Sequence, residues 1–141
     1  MMEAISPADP FLRQRIRVNG RSMAYVDEGT GRAVVMLHGN PTSSYLYRNI
    51  IPHVSAVARC VVPDLIGMGE SEKLPSHDDD AYAYAVHSDY LFQLLDQLAL
   101  GDGVIVVGQD WGSVLAFEWA RRHADRTAGI VHFEAIVTPF T

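Results

Sequence analysis

The run Val104-Ile105-Val106-Val107 followed at once by Gly108-Gln109-Asp110-Trp111-Gly112 constrains this chain more than any other stretch. An apolar run that ends in a turn flanked by glycines, and is followed by a helical pattern, reads as a strand, a sharp turn and a helix, with the central turn residue pushed out beyond the sheet. That residue is Asp110. A carboxylate has a reference pKa of about 3.9, so it is ionised at neutral pH without a partner base and can attack carbon directly to form an ester. By itself the Gly-X-Asp-X-Gly pattern also suits a plain turn, because Asp tolerates unusual backbone angles and bonds to its own backbone.

The surrounding pattern selects a fold class. Residues 11 to 18 and 21 to 28 read as two strands about Asn19-Gly20, a strong hairpin signal. Ala33 to Leu37, Cys60 to Val62 and Val104 to Val107 are short apolar runs of the kind that strands buried on both faces require. Ile130 to Phe133 reads as a sixth strand. Between these lie helical patterns over about 44–54, 79–98 and 112–123. Leu91, Leu94, Leu95 and Leu98 recur at i, i+3, i+4 and i+7, one apolar stripe to lay on a sheet. Asp78 to Asp80 are expected to cap that helix. Strands alternating with helices after a hairpin give an α/β class with a mostly parallel sheet and flanking helices, whose ligands bind at the carboxyl ends of the strands.

Size and charge narrow the function. A chain of 141 residues, 48% hydrophobic, has the length of one domain and enough apolar residues for a core. Its net charge of −6 comes mostly from scattered acids, so there is no basic footprint for nucleic acid. No signal-peptide pattern and no membrane-length apolar run is seen, which reads as a soluble, cytoplasmic protein. The six histidines are dispersed without the spacing of a metal motif, so neither metal nor cofactor is expected. Cys60, the only cysteine, is expected in the core.

Three loops share the carboxyl edge of such a sheet: 38–44 after the third strand, 64–71 after the fourth, and the Asp110 turn after the fifth. Glu134 follows the sixth. His38 is read as shaping its loop, and His132 as facing a helix or the core. With these loops the chain resembles the α/β-hydrolase superfamily, and within it the haloalkane dehalogenases. The segment from His38-Gly39-Asn40-Pro41 to Pro52-His53 is similar nearly throughout, with Tyr47 where Trp is expected.

The resemblance implies roles residue by residue. Asp110 is similar to the nucleophile that displaces halide, Asn40 and Trp111 to the pair that holds the halide, and Glu134 to the acid that orients a catalytic histidine. The backbone N–H groups of Asn40 and Trp111 are expected on an Asp110 oxygen. The substrate implied is a small halogenated alkane. The chain then reads as the N-terminal part of the core domain (1–141), cut after the sixth strand, without the cap, the last strands or the water-activating histidine. Full turnover is therefore not expected of the piece alone, while a complementing C-terminal chain or pairing of the exposed sixth strand is. Two other readings stay open: an epoxide hydrolase, and a non-catalytic fragment or assembly module.

Overall fold

The computed structural model describes residues 5–75 and 80–135. Six strands, β1 (Gln14–Val18), β2 (Arg21–Glu28), β3 (Ala33–Leu37), β4 (Arg59–Pro63), β5 (Val104–Gln109) and β6 (Thr127–Phe133), form one sheet in the order β1-β2-β4-β3-β5-β6. The β1–β2 hairpin is antiparallel, β2 pairs antiparallel with β4, and β4, β3, β5 and β6 run parallel. Asn19 and Gly20, both at positive φ, make the hairpin turn.

The two faces of the sheet follow from the two-residue period of its strands. Val35, Leu37, Val61, Val104 and Val106 point to one face, where α2 (Tyr84–Gln97) contributes Leu91, Leu94 and Leu95 and α3 (Trp111–Arg122) contributes Leu115, Ala116 and Trp119. Val34, Met36, Cys60 and Val62 point to the other, closed by Tyr47 and Ile51 from a 3-10 turn (Ser44–Tyr47) and the short helix α1 (Ile51–Ser55). Cys60 is fully buried there, and burial lifts its thiol pKa to about 12.

Several boundaries differ from the sequence reading, each for a local reason. The pattern over 44–54 yields a 3-10 turn and a five-residue helix because Pro52 falls at the start of α1. A proline has no N–H for the preceding turn and its ring crowds the carbonyl four residues back, so one helix cannot run through it. β1 begins at Gln14 rather than Phe11. Residues 9 to 13 are held instead by side chains: Arg13 donates to Asp9 Oδ2 (2.6 Å), to the Phe11 carbonyl and to Ser44 Oγ. α2 begins at Tyr84, with Ala83 extended before it and no side-chain cap. Of the acids expected to cap it, Asp78 and Asp79 lie outside the described residues, and Asp80 contributes only its carbonyl, which accepts from the Ala83 N–H.

Candidate active site

β3, β5 and β6 are neighbours and parallel, so the loops after them meet at one edge. β5 delivers Asp110 into a conformation that few non-glycine residues adopt, φ 55 and ψ −127, between the end of the strand and the first turn of α3. Such backbone costs on the order of 1–3 kcal/mol and persists only where its surroundings over-determine it. They do so here. The Asp110 N–H donates to the Phe133 carbonyl (3.2 Å), and the Ser113 N–H donates to the Asp110 carbonyl (2.9 Å). Asp110 Oδ1 accepts from the backbone N–H of Asn40 (3.0 Å), 70 residues away.

The glycines around Asp110 answer a need for space. A Cβ on Gly112 would fall on the Leu37 carbonyl, one on Gly108 would lie 2.5 Å from Ser113 Cα, and one on Gly39 would enter the Asp110 carboxylate. β3, β5 and α3 therefore approach as closely as backbone allows, and this approach brings the Asn40 N–H onto Asp110.

The loop after β3 is fixed from beneath. His38 is fully buried; its Nε2 accepts from the Leu65 N–H (3.0 Å), which leaves Nδ1 to carry the proton and donate to the Gly39 carbonyl (2.9 Å). Burial holds its pKa below the usual histidine value, so the neutral ring that these bonds require is the stable one. Asp64, also buried, accepts from the Ser44 N–H on Oδ1 (2.7 Å) and the Glu70 N–H on Oδ2 (2.9 Å), joining the loops after β3 and β4. Tyr47 is fully buried and donates its hydroxyl to the Leu37 carbonyl (2.9 Å) at the end of β3.

Asn40 and Trp111 stand on the wall of a cavity of about 830 Å³, a size suited to a small organic molecule. Leu65, Met68, Leu74 and Leu115 make it apolar; Tyr82, Tyr84, His87 and Lys73 complete it. Burial is the main cause that lowers the His87 pKa, and its Nδ1 has no partner among the described residues.

The residues singled out in the sequence fall into two groups. Asn40, Asp110 and Trp111 come together. The expected pair of backbone donors on Asp110 is present on the Asn40 side; among the described residues the Trp111 N–H makes no such bond. Glu134 stands apart, exposed at the end of β6, where Oε2 accepts from Gln109 Nε2 (2.6 Å). His132 faces α3, its ring 5.1 Å from that of Phe117. Sequence reasoning missed Gln109, Tyr82, Tyr84 and His87. The alternation of Tyr82 and Tyr84 just ahead of α2 carried a signal, since residues two apart in an extended segment share a face. Among the described residues, no three metal-ligating side chains cluster, and no helix is long and apolar enough to cross a membrane.

Comparison with known proteins agrees with this architecture. Residues 32–141 match the alpha/beta hydrolase fold family. The chain is 53% identical over 133 residues to a haloalkane dehalogenase of Sphingobium indicum, covering 94% of this chain and 45% of that protein. It is 52% identical over 133 residues to one of Mycolicibacterium smegmatis, covering 94% and 43%. Among solved structures, DBJA superposes with a TM-score of 0.80 at 42% identity, covering 89% of this chain and 41% of that one. An ancestral haloalkane dehalogenase does so with a TM-score of 0.80 at 42% identity, covering 87% and 42%. The chain thus spans less than half the length of the relatives it matches.

Proposed function

The chain belongs to the alpha/beta hydrolase fold family, and from that premise we propose that it carries the nucleophilic half of a haloalkane dehalogenase, acting on a small halogenated alkane. The observation that carries this reading is the Asn40 N–H on Asp110 Oδ1, beside an apolar cavity walled by Asn40 and Trp111. An aspartate held by one oxygen keeps the other for attack on carbon.

In the proposed step an Asp110 carboxylate oxygen attacks the halogen-bearing carbon. A carbon–oxygen bond forms as the carbon–halogen bond breaks, and the halide leaves with the bonding pair. The Asn40 amide and the Trp111 indole are neutral N–H donors for that anion, and such donors act more strongly the more water is excluded from them. Water then cleaves the ester at its carbonyl carbon, releasing the alcohol and restoring Asp110. That step needs a base, because water with a pKa of about 15.7 is a poor nucleophile at neutral pH. Glu134 is the acid proposed to orient the histidine that serves. His38, bonded through both ring nitrogens, is not available for it. Among the described residues β6 is an edge strand, and we propose that edge as the place where a further strand, from a complementing chain or a second copy, would pair.

Incubating the 141-residue chain with a reactive bromoalkane tests this reading by intact mass and free bromide. One alkyl adduct on Asp110, matched by one bromide and abolished in Asp110→Asn, is expected. Continuous bromide release by the purified monomer, or an adduct that survives Asp110→Asn, overturns it. An epoxide opened to a diol in place of halide release would point to the epoxide hydrolase reading.

A further inference from the structure

Trp111 is the first residue of α3. Helical Cα–Cβ bonds tilt toward the helix N-terminus, so its side chain projects past the sheet edge rather than down onto the helix. Half of the residue is exposed (50%). An exposed side chain samples several rotamers, and confining it costs entropy. A donor that is to receive an anion has to be confined.

The confining contact is aromatic. The Tyr84 ring lies with its centroid 6.3 Å from that of Trp111, the planes inclined by 38°, within the 4.5–7 Å range of favourable aromatic pairs. Tyr84 is the first residue of α2, which is anchored by buried Leu91, Leu94 and Leu95. Its ring is therefore carried by an anchored helix while it lies beside a half-exposed indole. Both rings line the same cavity.

We propose that Tyr84 is a positioning residue for Trp111, its ring holding the indole so that the Nε1–H addresses the halide in the cavity. The inference rests on the reading of Trp111 as a halide donor. It assigns the effect to the ring face and not to the hydroxyl, so phenylalanine should replace Tyr84 and alanine should not.

Halide quenching of tryptophan fluorescence tests it. The chain has two tryptophans, and Trp119 is buried at 1% exposure, so halide in solution reports on Trp111. Sodium bromide is titrated at constant ionic strength into the wild-type 141-residue chain, Tyr84→Phe and Tyr84→Ala, with far-UV circular dichroism as the check on folding. Saturable quenching in the wild type, kept within about twofold by Tyr84→Phe and weakened roughly three- to tenfold by Tyr84→Ala, is expected from the size of aromatic contacts. The single-turnover release of bromide from a bromoalkane should slow in the same order. If Tyr84→Ala does not fold, Tyr84→Leu makes the same comparison. Wild-type halide affinity in the folded ring-less variant, or equal losses in Tyr84→Phe and Tyr84→Ala, overturns the proposal. A linear, unsaturable response in the wild type overturns the halide-site reading itself, whatever Tyr84 does.

Discussion

The two halves of the candidate site are built to different tolerances. Around Asp110, three elements meet with no room for a side chain at Gly39, Gly108 or Gly112, and backbone hydrogen bonds reach Asp110 from the loop after β3, from β6 and from α3. Around Glu134, among the described residues, a side-chain contact with Gln109 is the one hydrogen bond on an exposed carboxylate at a positive φ of 56. Close-packed backbone fixes a functional group to within tenths of an ångström, whereas a solvated side-chain pair leaves it free to re-orient. A carboxylate that attacks carbon has to be aimed in advance.

The largest effect should come from filling the tight half. Gly112→Ala places a methyl group on the Leu37 and His38 carbonyls, backbone atoms that cannot step aside, and should destabilise the fold by about 3 kcal/mol in urea unfolding. A loss below about 0.5 kcal/mol would show that the junction yields. Next comes Tyr47→Phe, which leaves the Leu37 carbonyl without its buried donor and should cost roughly 1–2 kcal/mol by the same measurement.

Acidification probes the loop beneath Asn40. The folded-state pKa of His38 is lowered by burial from its ordinary 6.5, and that of His87 likewise. The unfolded chain therefore binds these protons first, and the stabilisation they contribute is whole above pH 6.5 and lost as the pH falls from there toward the folded values. The melting temperature should drop on going from pH 7.5 to 5.5, and the drop should shrink in His38→Gln. An equal drop in both proteins would assign it to other groups. The smallest effect belongs to the loose half. Glu134→Gln should change stability by less than about 0.5 kcal/mol and leave the alkylation rate of Asp110 unaltered. A slowed alkylation would mean that Glu134 takes part in aiming Asp110, the proposed nucleophile, and that the contrast between the halves is false.

Residue patterns alone carried the alternation of strands and helices, the hairpin at Asn19-Gly20, the burial of Cys60 and the strand-turn-helix around Asp110, because each is written in local periodicity or turn chemistry. They also placed Asn40, Asp110, Trp111 and Glu134 at one sheet edge, since parallel strands put their carboxyl ends together. Element ends were less legible: Pro52 divided what periodicity joined, and α2 started at Tyr84 with Ala83, not an acid, at its N-cap.

What only the tertiary structure decided is which of those residues touch. The bond from Asn40 to Asp110, the ring of Tyr84 against Trp111, Tyr47 under the end of β3 and the pairing of Glu134 with Gln109 join residues between 10 and 70 positions apart. Sequence sets which side chains an element offers and at what period. Which atoms meet depends on the order of the strands and on how closely their backbones approach, and that is settled when the sheet and its helices pack as a whole.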